Sequence, residues 1–230
     1  MIPIKKGSVP RAYTQEIRDF ENAVGRSPAW DEIRCKRKVV AALLAEQGGI
    51  CAYCMSRIED ANALESTRDE RAAHVEHLLP QSRSSHGEDI DYHNMVAVCS
   101  GERGEGKKAL CCDRARGNQE LTVNPTRPET LRSIRYRANG RVYSEDPDID
   151  KDLNAVLNLN GEETGLPMNR KAAVDRLFAK FSALGKRGGD RAVRAYCRKR
   201  LDALSHPDAD GRYVPYVGTL RYFLQRRLER

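Results

Sequence analysis

Residues 74–82 read HVEHLLPQS, residues 91–99 read DYHNMVAVC and residues 111–118 read CCDRARGN, with CAYC upstream at 51–54. Five of the seven cysteines and four of the five histidines fall between Cys51 and Asp113. A C-x-x-C turn puts two thiolates on one tight bend, where both can meet one tetrahedral ion. A redox C-x-x-C needs a strand before it and a helix directly after it. Here a helical pattern precedes the motif and stops at Gly48-Gly49. A zinc knuckle is therefore the expectation, with Cys99 and one of Cys111 and Cys112 closing the site. Between the two halves lies Glu76-His77, an acid beside a histidine at the end of a β-type run. An imidazole with an ordinary pKa of about 6.5 can take a proton at neutral pH. Carboxylate oxygens suit a hard divalent cation. Asn94 and Asp113 follow in order.

Outward from this stretch, composition sets the class. The chain has 230 residues, 32% charged and 40% apolar, which is a globular balance rather than a disordered one. No apolar run approaches the roughly 20 residues that span a bilayer. The opening MIPIKKGSVPRAY lacks a signal-peptide core, so a cytoplasmic location is expected. Thiols stay reduced there, which favours metal ligation over disulfides. The net charge is +7, unevenly placed. Residues 1–48 carry 9 basic and 6 acidic groups, 49–126 carry 9 and 13, and 127–230 carry 22 and 14. Basic flanks around an acidic centre suit a polyanion with a cation at the reacting phosphate.

Three segments follow: an N-terminal helical arm (1–48), the central core (49–126), and a hairpin with a basic helical region (127–230). In the arm, Ile17, Phe20 and Val24 fit a helix over 14–24. Ser27, Pro28, Asp31 and Glu32 read as the start of a second helix carrying Trp30, Ile33, Val40, Leu43 and Leu44. Cys35 reads as a small buried hydrophobe. In the last segment, Asn139-Gly140 between alternating arms predicts a hairpin. Helical faces follow at 168–184, around 193–204 and near 216–228, with a break at Gly188-Gly189. Residues 170–200 hold 11 basic and 2 acidic groups. Arg187, Arg191, Arg194, Arg198 and Arg200 are the natural phosphate contacts there. Arg116 is a further one, three residues past Asp113 and on its face of a helix beginning there.

Taken together, Cys51-x-x-Cys54, Glu76-His77, Asn94 and Cys112-Asp113 resemble the HNH endonucleases. EHLLPQS, DYHNM, C-D-x-x-R-G-N and Val123-Asn124-Pro125 are similar, within that family, to the HNH proteins of retron and Septu antiphage systems. IKKG near the start and LNLN at 157–160 extend the likeness loosely. The resemblance implies an α-rich α+β protein with a ββα-metal core and a structural zinc at Cys51, Cys54, Cys99 and Cys112. Cys112 is preferred to Cys111 because it directly precedes Asp113. It implies Mg²⁺ or Mn²⁺ on Glu76 and Asp113, His77 activating water, and Asn94 orienting His77 through a carbonyl. His74 is the alternative to Glu76, His93 is another candidate ligand, and His86 reads as surface. The implied activity is phosphodiester hydrolysis, expected on DNA, leaving 5′-phosphate and 3′-hydroxyl ends. The implied partner is an ATPase subunit, joined in some systems by a retron reverse transcriptase and its RNA–DNA. One departure stands out: Cys99 and Cys112 are 12 residues apart, with GERGEGKK between, so the second half is not a C-x-x-C. The alternative reading is a non-catalytic zinc-knuckle subunit that binds nucleic acid or docks the ATPase.

Overall fold

A computed structural model describes residues 1–61, 69 and 71–229 as a helix-rich α+β protein with two small antiparallel sheets. Helix α1 (Arg11–Val24) and helix α2 (Lys36–Glu46) precede strand β1 (His74–His77) and strand β2 (Met95–Val98). The short helix α3 (Cys112–Arg116) follows, then the hairpin β3 (Ile134–Tyr136) and β4 (Val142–Ser144). Helix α4 (Pro147–Lys151) runs into a π-helical turn (Asp152–Val156), and α5 (Leu166–Ala203) and α6 (Val217–Glu229) complete the chain. Buried apolar side chains from Ile2 to Leu224 form one continuous cluster, so the three segments share a core. Among the described residues no helix is long and apolar enough to cross a membrane.

Strand β2, MVAV, is buried at every position and lies at the centre. One side pairs with β1, with His74 opposite Val98 and His77 opposite Met95. On the other side Gln47 substitutes for a strand. Its amide oxygen accepts the Ala97 N–H at 2.7 Å, and its amide nitrogen donates to the carbonyls of Ala97 at 2.7 Å and Ile50 at 2.9 Å. Gln47 can do this because α2 ends at Glu46, and Gly48 and Gly49 turn the chain with φ of 59° and 65°. Gln47→Ala leaves the Ala97 N–H buried without a partner, an expected loss of about 2 kcal/mol measurable as a lower urea midpoint.

The second helix begins later than its cap signals indicate. Residues Trp30–Glu32 make only a 3₁₀ turn, and α2 starts at Lys36. The Glu16 carboxylate of α1 accepts the N–H groups of Arg34 at 2.6 Å and Cys35 at 2.9 Å. Glu32 folds back onto the Ala29 N–H instead of continuing a helix. Helix α1 starts at Arg11, ahead of the expected Thr14; Tyr13 is its buried residue, and Val24 is exposed. Cys35 is half-buried beside Glu16, and burial holds its thiol protonated up to about pH 12. The expected hairpin forms, closed by the Gly140 N–H on the Arg137 carbonyl at 2.9 Å. The expected break at Gly188-Gly189 divides α5 into limbs 166–187 and 190–203, since Gly189 has φ 61° and ψ −161°.

Candidate active site and metal centre

Cys51, Cys54, Cys99 and Cys112 are buried, with all four sulfurs within 4.8 Å of one another. They can hold a metal ion such as zinc. A tetrahedral ion with Zn–S bonds of about 2.3 Å needs sulfurs about 3.8 Å apart. The Cys51–Cys112 and Cys54–Cys99 separations are 3.8 Å. The 12-residue spacing is absorbed by a narrow loop. Glu102 and Leu110 form a bridge, the Cys111 N–H bonds the Gly101 carbonyl at 2.8 Å, and Arg114 pairs with Glu102 at 3.0 Å. Gly101 has φ 74°, and a Cβ there would meet the Cys111 carbonyl at 2.5 Å. Leu157 and Asn158 brace the far end. The Asn158 amide donates to Lys108 and Leu110 carbonyls, and the Leu157 carbonyl accepts the Cys112 N–H at 2.9 Å. That contact turns Cys112 rather than Cys111 into the tetrad, with Cys112 at φ 53°.

The knuckle also reaches toward β1. Tyr53, between the two knuckle cysteines, donates its hydroxyl to Glu76 Oε1 at 3.1 Å. Burial and the Glu76 carboxylate push the Tyr53 pKa up, so this hydroxyl stays a donor. Glu76 is 6% exposed and also meets the Asp113 carboxyl from the first turn of α3. Burial, followed by the facing Asp113, raises its pKa to about 7. Two carboxyl groups brought together in a low-dielectric site need a proton or a cation between them.

His77, the last residue of β1, is also 6% exposed. Its Nε2 lies 2.9 Å from the Asp89 carbonyl, and Gln81 Nε2 lies 3.3 Å from its Nδ1. A carbonyl only accepts, so Nε2 carries the proton and Nδ1 is the unprotonated, basic nitrogen, which accepts from the Gln81 amide. Burial lowers the His77 pKa, which keeps the ring neutral at pH 7. The Trp30 ring closes over it edge-on, with centroids 5.3 Å apart, and the Trp30 backbone N–H donates to Asp89 Oδ2 at 3.0 Å.

Two sequence expectations are corrected. The carbonyl that fixes His77 belongs to Asp89, not to Asn94. Asn94 instead pins the loop after β1: Oδ1 accepts the Leu79 N–H at 2.7 Å, and Nδ2 donates to Leu79 at 3.1 Å and Glu88 at 2.8 Å. Its carbonyl takes the Leu78 N–H. Asn94 positions the Asp89 loop and so acts on His77 at one remove. Arg116 does not face solvent and is not a phosphate contact. It is 1% exposed, and its donors go to Glu76 Oε1, the carbonyls of His77 at 2.8 Å and Leu78 at 2.6 Å, and the Gln119 carbonyl at 2.7 Å. Arg116→Met strands a buried carboxylate and three carbonyls. The expected destabilisation is about 3–5 kcal/mol in urea unfolding.

The remaining candidates are scattered. His74, His86 and His93 are exposed. Arg187, at the end of the first limb of α5, and Arg191 and Arg198, on the second, are exposed, while Arg194 is half-buried and donates to the Leu228 carbonyl at 2.8 Å. Arg170, counted in the basic run, is buried and bonds the carbonyls of Gly140 and Leu159. Asp89, Gln81, Tyr53 and Trp30 were not singled out as site residues from sequence. Only Tyr53, inside the knuckle, carried a local signal. No protein-family model matches the chain, and no curated protein matches it.

Proposed function

We propose that this chain is a metal-dependent HNH-type endonuclease with a ββα-metal core made of β1, β2 and α3. One observation carries the reading: a neutral His77, with an unprotonated Nδ1 that accepts from the Gln81 amide, lies on the same strand end as Glu76, whose carboxyl meets Asp113, and Glu76 and Asp113 are tied to a four-cysteine cluster through Tyr53 and Cys112. The donor chemistry fits the two ions of the proposal. Four thiolates suit Zn²⁺, and the paired carboxylates of Glu76 and Asp113 suit Mg²⁺ or Mn²⁺. When bound there, Mg²⁺ or Mn²⁺ supplies charge stabilisation to the phosphoryl oxygens and the leaving 3′-oxygen.

The side chains do the rest. His77 Nδ1 takes a proton from the attacking water as general base. The Asp89 carbonyl, accepting from Nε2–H, fixes the tautomer and stabilises the imidazolium that forms. Tyr53 and Arg116 hold Glu76 Oε1, which leaves the rest of the carboxyl turned to Asp113. Asn94 keeps the Asp89 loop in place. The exposed Arg187, Arg191 and Arg198 would grip phosphates along α5 on either side of the Gly188-Gly189 break. The resemblance to retron and Septu proteins extends the proposal to an antiphage effector, working in the cytoplasm beside an ATPase.

The alternative, a non-catalytic zinc-knuckle subunit, has one observation in its favour: Glu76 and His77 are each 6% exposed, with His77 covered by Trp30 and the Asp89 loop and Glu76 closed in by Tyr53 and Arg116. An enzyme with this site needs that cover to move. The deciding experiment is cleavage of plasmid DNA and of tRNA by the purified chain in Mg²⁺, Mn²⁺ or EDTA, alone and with its ATPase. Divalent-dependent cleavage supports the enzyme and identifies the substrate. Retained nucleic-acid binding with no cleavage in any of these conditions favours the binding subunit.

A further inference from the structure

The two limbs of α5, with the segment that leads into α6, enclose a cleft of about 490 Å³ on the side of the molecule formed by the basic region. Asn169, Arg176 and Leu177 line it from the first limb, Tyr196 and Arg200 from the second, and Tyr216 from the connecting segment. Among the described residues no carboxylate lines it. The floor is apolar, with Ala173, Val214, Pro215 and Leu220.

We propose that this cleft binds a nucleoside 5′-phosphate, with Arg176 and Arg200 on the phosphate and the Tyr196 and Tyr216 rings against the base. The charge argument rests on what the neighbouring cations do. Lys171 pairs with Asp175, Arg227 with Asp190, Arg226 with Glu229, and Arg194 with the Leu228 carbonyl. Arg176 and Arg200, like Arg187, Arg191 and Arg198, have no ion-pair or hydrogen-bond partner among the described residues, and of these five it is Arg176 and Arg200 that line the concave surface. Two unpaired guanidiniums from facing limbs match a phosphate dianion, which accepts several charge-assisted bonds at once. A volume of 490 Å³ lies in the range of about 300–1,000 Å³ usual for small-ligand sites. Mixed apolar and tyrosine walls suit a planar ring.

The backbone supports the same placement. Tyr216 has φ 59°, a conformation that costs a bulky residue free energy and occurs disproportionately at ligand sites. It is held there by its N–H on the Met55 carbonyl at 2.9 Å, directly after the knuckle. The cleft wall is thereby tied to the metal centre, although the proposal does not depend on the nuclease reading.

The same chemistry has two sources, a free nucleotide or the 5′-phosphate end of a strand. The test is calorimetric titration of the full chain with AMP, ATP, inorganic phosphate and a 5′-phosphorylated hexathymidylate. It is repeated with Arg176→Gln, Arg200→Gln and, as a control outside the cleft lining, Arg18→Gln on α1, with the thermal melt of each apo protein recorded. The expected result is saturable binding of AMP or of the oligonucleotide, weakened at least tenfold by Arg176→Gln and by Arg200→Gln but not by Arg18→Gln, with unchanged apo melting. Preference for AMP identifies a free nucleotide, and preference for the oligonucleotide identifies a strand end. Inorganic phosphate binding as tightly as AMP overturns the base contact. Absence of saturable binding to both AMP and the oligonucleotide, or equal affinity in all variants, overturns the site. Should either arginine variant melt early, Tyr196→Leu provides the second probe, with the same tenfold loss of AMP affinity expected.

Discussion

His77→Ala is expected to lower divalent-dependent cleavage by about 10²–10⁴-fold, the usual contribution of a positioned general base. The zinc content should be unchanged. The effect is local because His77 is not in the cysteine tetrad and its backbone carbonyl, which Arg116 needs, survives the substitution. Asp89 holds the ring through a main-chain carbonyl, so Asp89→Asn should retain most of the activity even though its side chain holds the Trp30 N–H. This contrast separates a ring fixed by backbone from one tuned by a carboxylate. Cleavage by His77→Ala at the wild-type rate, in a preparation free of contaminating nuclease, would remove His77 from the mechanism.

Loss of the metal centre should be the largest structural effect. Cys54→Ser, or treatment of the wild type with a strong zinc chelator, is expected to abolish the cooperative melt of the central region. Structural zinc sites contribute apparent binding free energies of about 10–16 kcal/mol, comparable to the whole stability of a domain at about 5–15 kcal/mol. Apolar burial has no means of compensating here, because the four thiols occupy the centre of the core beside Met95 and Val98. Catalysis should be lost with the fold, since Tyr53 reaches Glu76 only from the knuckle turn. Cys111→Ser should keep one equivalent of metal, because Cys111 lies outside the tetrad. Zinc analysis combined with circular dichroism checks both variants. A Cys54→Ser protein that melts with wild-type cooperativity would show that the tetrad is a cluster of packed thiols only.

Local patterns carried much of this protein. The knuckle was legible because a C-x-x-C turn is a property of four consecutive residues. Asn139-Gly140 and Gly188-Gly189 acted as written, since φ above zero is a residue-level preference. The onset of the second helix was not legible. Ser27 and Pro28 are sound start signals, but Glu16 takes the Arg34 and Cys35 amides from a distance of nearly twenty residues. Arg116 misled for a related reason: its spacing from Asp113 was read correctly as one helix turn, while the side of that turn was set by the β1 carbonyls.

The amino-acid order alone determined which side chains could do chemistry here: two thiols at knuckle spacing in Cys51 and Cys54, Glu76 beside His77, and Asp113 directly after Cys112. These are covalent neighbours or near neighbours, so their proximity needs no fold. Only the tertiary structure decided which carbonyl holds His77, which arginine is buried, that Gln47 completes the edge of β2, and that Arg176 and Arg200 face one cleft. Each of those contacts joins segments far apart in the chain, and their partners are chosen by packing and by the need to satisfy buried polar groups, which no local pattern encodes.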